Sequence, residues 1–171
     1  MKEKPMQHSN TQKKESFMPL IIIILLITLA VTSLGIRDTF HGVFSWDISM
    51  QHFMAGFFLV FAGFKLLDLK GFVQGYSQYD LLAMKVKEYG YIYPFLELLL
   101  GIAYLVGVVS PFLHIFTFLL MAFSGLGVLN KIAKKEKFTC ACLGTFLNVP
   151  LTKITVVEDF GMAAMALMML M

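Results

Sequence analysis

The sequence predicts an all-α fold, a polytopic bundle of membrane-spanning helices. Three observations carry that prediction. The 171 residues are 58% hydrophobic and only 15% charged, with a mean hydropathy of +0.76, whereas a soluble domain carries roughly 45–50% apolar and about 25% charged residues. One membrane span needs ~20 apolar residues, and the chain contains several separate runs of that length. The basic residues fall almost entirely into alternate connecting segments. A net charge of only +3 without a basic stripe excludes a nucleic-acid binder.

In chain order, residues 1–16 are polar, contain Lys2, Lys4, Lys13 and Lys14, and lack apolar periodicity. They are expected to form a disordered cytoplasmic tail. Phe17–Gly35 is nineteen residues without a charge and is span one. The N-terminal transmembrane helix is therefore set at 17–36. Its apolar run exceeds the 7–15 residues of a signal-peptide core, which favours an uncleaved anchor. A polar loop over 37–47 leads into span two, about Ile48–Leu67, where Gly56 and Gly63 are expected to admit a neighbouring helix.

Residues 68–90 are too polar to cross a bilayer. Ser77-Gln78-Tyr79-Asp80 has the spacing of a capping box, followed by Tyr79, Leu82, Ala83, Val86 and Tyr89 at helical intervals. A short amphipathic helix on the membrane surface is expected. Tyr91–Val109 is span three and carries Glu97. Ser110-Pro111 turns the chain into span four, about Phe112–Leu129. Residues 131–153 hold five lysines and both cysteines, and Ile154–Met171 is span five. Five of the twelve methionines lie in this last segment, as ordinary packing or lipid-facing residues. Alternate connections gather thirteen of the fourteen basic residues on one side and leave Arg37 on the other. By the positive-inside rule the N-terminus is cytoplasmic and the C-terminus outside, in a multi-pass protein of a bacterial inner (plasma) membrane.

Cys140-Ala141-Cys142 is the most informative chemical feature. Two thiols separated by one residue can form a small, readily reduced disulfide, or chelate a thiophilic ion such as Cu(I), Hg(II) or Zn(II). Lys134, Lys135 and Lys137 just upstream favour the reactive thiolate. Two incidental cysteines at a membrane boundary are the plain alternative. Glu97 lies ~9 Å into its span at 1.5 Å per residue, and an ionisable group at that depth marks a functional site with a partner. Lys65, near the end of span two, shares its layer, as do Glu158 and Asp159. A structural Lys65–Glu97 ion pair explains the same placement. On the opposite side His41, His52, His114, Asp38 and Asp47 could bind a metal, but their separations match no metal-site spacing. The apolar segment Leu143–Leu151 is either re-entrant or a loop lying on headgroups.

Three motifs resemble the methylamine-utilisation MauE proteins and the related DoxX-like membrane proteins: Ala62–Asp68 ending span two, Pro94–Gly101 in span three, and Cys140-Ala141-Cys142-Leu143-Gly144 before the last helix. The resemblance covers 48–171 and implies a four-helix DoxX/MauE-like core, here with one additional N-terminal transmembrane helix. It implies that Cys140 and Cys142 are a redox pair and that Glu97 and Lys65 are a supporting polar pair. It also implies a role in disulfide formation or maturation of an exported redox enzyme, with a thioredoxin-like partner. Leu143 stands where the family has an aromatic residue. The lysine distribution sets the cysteines on the cytoplasmic side, so either the pair takes electrons from a cytoplasmic thiol donor and passes them outward, or the function has diverged.

The expected function is a membrane accessory protein of thiol–disulfide type, without a bound cofactor. The alternatives are a soft-metal transporter or chaperone using Cys140 and Cys142 as ligands, with a metal-binding protein partner, and a structural membrane subunit. No nucleotide-binding, dinucleotide or haem-attachment motif is present.

Overall fold

The computed structural model describes residues 18–42, 44–108, 110–134, 139–140, 149–150 and 153–171. The expectations for the tail, Cys142, Lys135, Lys137 and most of 143–151 lie outside the described residues. Among the described residues, six α-helices make up the fold. The first, α1 (Met18–Phe40), continues past the expected end at 36. Nothing in Arg37-Asp38-Thr39 breaks a helix, and Thr39 Oγ1 donates back to Gly35 O at 2.8 Å. The chain then turns at Gly42, whose φ is 72°.

Next come α2 (Trp46–Leu67) and α3 (Leu69–Tyr76), both displaced from expectation. Asp68 Oδ1 accepts from Gly71 N at 3.0 Å and caps α3, so the short helix lies upstream of the predicted capping box. Ser77 ends the helix instead of starting one, its hydroxyl donating back to Gln74 O at 3.3 Å. Asp80 organises a single following turn, its Oδ1 accepting from Leu82 N and Ala83 N at 2.9 and 2.8 Å. Phe72, Val73, Tyr76, Tyr79 and Ala83 are buried against the protein. The bundle thus covers part of this segment's apolar face, at Tyr79 and Ala83, while Leu82 and Val86 stay exposed; in place of the helix expected after Ser77 there is a single turn.

The last three helices are α4 (Lys87–Leu105), α5 (Pro111–Ala133) and α6 (Lys153–Met168). Helix α4 starts and ends four residues earlier than span three was drawn. It stops because Gly107 adopts a φ of 78°, and its N–H closes on Tyr104 O at 3.1 Å. Pro111 opens α5 at the position where its missing N–H costs nothing. Between α5 and α6, β1 (Thr139–Cys140) and β2 (Val149–Pro150) pair antiparallel, Cys140 opposite Val149.

Helices α1, α2 and α5 are long and apolar enough to cross a membrane by length and composition. Helix α4 carries Lys87, Glu88 and Glu97, and α6 has 16 residues. Helix α4 packs along α2, and α6 along α5. The core contains Met54, Phe58, Phe61, Leu100, Tyr104, Met121 and Met162. Close approach is set by two glycines outside span two. A Cβ on Gly101 would meet Leu59 Cγ at 2.9 Å and Leu59 N at 3.0 Å, and one on Gly127 would meet Tyr79 O at 2.8 Å. Of the two glycines predicted for this role, Gly56 faces Ile27 on α1, whereas Gly63 has nothing within 4 Å.

A buried ion pair and aromatic cap at the lysine-rich end

Lys65 sits in the last turn of α2, and Glu97 in the middle of α4. The chain runs out along one helix and back along the other, so the two residues meet despite 32 positions between them. Lys65 Nζ donates to Glu97 Oε1 at 2.5 Å and also to Oε2. Both side chains are buried, at 7% and 3% exposure. An ammonium removed from water is costly unless a charge and further contacts replace the hydration. Two aromatic faces supply part of that replacement: Nζ lies 4.9 Å from the Tyr93 ring centroid and 5.5 Å from that of Phe72.

Tyr93 belongs to the site because it precedes Glu97 by one helical turn and shares its face. Its hydroxyl is within electrostatic reach of Glu97, Asp159 and Ser124, which links α4 to α5 and α6. Asp159 packs onto α5 at Gly125. The structure therefore brings Asp159 to the Lys65–Glu97 cluster, as its sequence position suggested. Glu158 instead lines a separate apolar cleft with Ile24, Phe53 and Met162.

Helix α3 caps this cluster. Phe72 stacks on Tyr76 at 4.9 Å, and Tyr76 lies 4.7 Å from Tyr93 between ring centroids. Tyr76 Oη donates to Asp80 Oδ2 at 2.9 Å. Burial pushes the Asp80 carboxyl above the usual carboxylate range, against the opposing pull of the hydrogen bonds from Ala83, Tyr76 and Leu82. Burial, reinforced by Tyr93 and Asp80, also pushes the Tyr76 hydroxyl well above its ordinary value. Sequence reasoning missed Tyr76, Tyr93 and Asp80 as parts of one site. The Tyr93–Glu97 spacing is the available signal; in the sequence alone Asp80 reads as the far member of a capping box.

The thiol segment reaches the same end of the molecule. Backbone of β1, which includes Cys140, runs beside α3, the helix that covers the ion pair. Cys142 lies outside the described residues.

The opposite-side histidine cluster does not assemble. Among the described residues no group of three or more His, Cys, Asp or Glu side chains is arranged to hold a metal ion. Asp38 pairs with its neighbour Arg37 at 3.5 Å, and His114 turns into the bundle. There Tyr104 Oη lies 3.1 Å from His114 Nδ1 and donates to Thr117 Oγ1 at 3.1 Å. The reason is register: His114 and Thr117 occupy the buried face of α5, one turn apart.

Apolar helices of spanning length, paired charges closed inside them and a basic end define a polytopic helical membrane protein. The family described as Methylamine utilisation protein MauE matches residues 42–171, most of the chain, and the protein belongs to that family. Helix α1 precedes the matched segment. No curated relative and no solved structure matches the chain.

Proposed function

We propose that this MauE-family membrane protein is an accessory protein of thiol–disulfide exchange, with Cys140 and Cys142 as its redox pair and a thioredoxin-like protein as its partner. The supporting observation is the course of the backbone: Cys140 lies on a strand beside α3, whose Phe72 covers the Lys65 ammonium. A thiol segment held there shares the inner mouth of the bundle with the few charges the membrane region contains. Lys134 at the end of α5 adds positive charge that favours a thiolate.

In the exchange a partner thiolate attacks one sulfur of the Cys140–Cys142 disulfide and forms a mixed disulfide. The other cysteine leaves as a thiolate and takes up a proton. A second partner thiolate then displaces the attached cysteine, so the partner ends as a disulfide and the pair as two thiols. Two electrons pass from partner to pair, and the reverse sequence reduces the partner. Lys65 and Glu97 act as the supporting polar pair, holding the last turn of α2 against the middle of α4. The protein's work in methylamine utilisation would be to take electrons from a cytoplasmic thiol donor by this exchange and pass them outward for maturation of an exported enzyme.

Cys140→Ser and Cys142→Ser variants test the reading. One of them should accumulate a partner-linked mixed disulfide, visible on non-reducing gels and absent from the double Cys→Ser protein. If neither traps a partner and both lose Cu(I) or Hg(II) binding, the pair is a soft-metal site and the exchange reading is wrong. Orientation is read with a membrane-impermeant thiol reagent: the cysteines should label in inverted vesicles and not in intact cells.

A further inference from the structure

We propose that the lysine-rich end of the bundle carries a binding site for one anionic glycerophospholipid, seated in a groove between α5 and the segment joining α3 to α4. The groove has a volume of about 300 Å³ and is lined by Leu82, Tyr89, Phe116, Leu119, Leu120 and Phe123. Its axis follows α5, since Phe116, Leu119 or Leu120, and Phe123 recur at the spacing of one helix face. From Phe116 to Phe123 is seven residues, or ~10.5 Å at 1.5 Å per residue. That length suits a stretch of acyl chain lying along α5.

The two ends of the groove differ in kind. Phe116 lies five residues into α5, toward the end of that helix away from the chain's lysines. At the other end, Leu82 and Tyr89 bracket in sequence Lys85, in the preceding turn, and Lys87, the first residue of α4, and both lysines are exposed. Met84 and Val86 alternate with them and are also exposed, at 52% and 48%, which places apolar side chains among the charges as an interfacial segment requires. Lys70 and Lys134 are exposed at the same end. Glu88 is the one acidic residue in the first turn of α4 and offsets part of this charge. Asp80 is buried and turned toward Tyr76.

The occupant follows from this polarity. An apolar trough, with two exposed lysines between its lining residues Leu82 and Tyr89 in the chain, complements a molecule with a hydrocarbon chain and a negative head, and within a membrane that molecule is an anionic phospholipid. A partner helix would fill the trough equally well along its whole length but brings no negative charge to the lysines.

The test places a tryptophan reporter in the groove. Trp46, the single native tryptophan, is removed and the reporter introduced in a Trp46→Phe/Phe123→Trp protein, reconstituted into phosphatidylcholine vesicles containing phosphatidylglycerol. Bromine on the acyl chains of either lipid, at equal mole fraction, quenches a tryptophan in contact with that lipid. Brominated phosphatidylglycerol should be enriched about fivefold over brominated phosphatidylcholine at the groove reporter, the factor expected for one effective lysine at an anionic surface. Adding Lys85→Gln/Lys87→Gln should remove the preference while the reporter stays equally quenched by total lipid. In the native protein Trp46, at the opposite end of α2 from Lys65, should show no preference. Equal quenching of the groove reporter by the two lipids, an unchanged preference after both lysines are removed, or the same preference at Trp46 would each overturn the proposal.

Discussion

Lys65 on α2 and Glu97 on α4 form a two-pronged ion pair that is closed to solvent, with Nζ donating to both carboxylate oxygens. The pair joins two helices that lie side by side along much of their length. Its energetics are asymmetric. A buried pair contributes little relative to apolar residues of similar size, but removal of one partner strands the other charge.

Single substitutions at this pair should therefore be much worse than the double. Lys65→Met or Glu97→Leu alone is expected to destabilise by about 3–5 kcal/mol. The double variant should recover most of that loss. Thermal unfolding in detergent of the four proteins, read as a double-mutant cycle, measures the coupling. Equal effects for single and double variants would contradict the pairing.

The α2–α4 contact should be intolerant of a side chain at one glycine. In Gly101→Val the new Cβ meets Leu59 Cγ and the Leu59 backbone nitrogen at 2.9 and 3.0 Å, and backbone cannot swing aside as a flexible side chain can. A loss of about 1–3 kcal/mol is expected from overpacking. Gly63→Ala is the internal control, because its Cβ meets nothing within 4 Å; it should change stability by less than about 1 kcal/mol. Melting temperatures of both variants check the contrast.

Asp80 should make stability fall as pH rises above the ordinary carboxylate value. Burial raises its carboxyl in the folded protein, so the native state keeps its proton to higher pH than the unfolded chain does. Between the two values the native state binds more protons, and stability therefore declines with increasing pH. The contribution is fully present below the ordinary carboxylate value and is lost once pH exceeds the raised one. Asp80→Asn keeps an acceptor for Leu82 N and Ala83 N and should flatten this part of the stability–pH curve. Asp80→Ala should lower stability at every pH by leaving both N–H groups without that acceptor.

At the other end of the bundle, Tyr104→Phe deletes the hydroxyl that meets both His114 Nδ1 and Thr117 Oγ1. Both groups are buried, so the expected cost is about 1–3 kcal/mol. In the double variant Tyr104→Phe/Thr117→Val part of that loss should return, since one stranded polar group is removed with its partner. Unfolding midpoints of the two proteins decide the matter.

Much of this architecture was readable along the chain. Mostly apolar runs bounded by Pro, Gly and lysine clusters predict five of the helices close to where they occur. Glu97 and Lys65 stood out because an ionisable residue among apolar neighbours requires a partner, and each was the obvious partner for the other. Boundaries moved by up to four residues where backbone conformation decides them, as at Gly107. The 68–90 segment was misread because Asp68 and Ser77 can each start or stop a helix, and local spacing does not say which.

The sequence by itself thus determined the membrane class, the family resemblance and the identity of the buried charged pair, because hydrophobicity, charge and short motifs are local properties. Tertiary structure alone decided what surrounds that pair. Phe72 and Tyr76 cover it from α3, Tyr93 connects it toward Ser124 and Asp159, and Cys140 runs past the covering helix. It also separated His114 from the other histidines by rotating it onto the inner face of α5 beside Tyr104. Those outcomes depend on helix rotation and on close approach at Gly101 and Gly127, which arise only when all the helices pack at once.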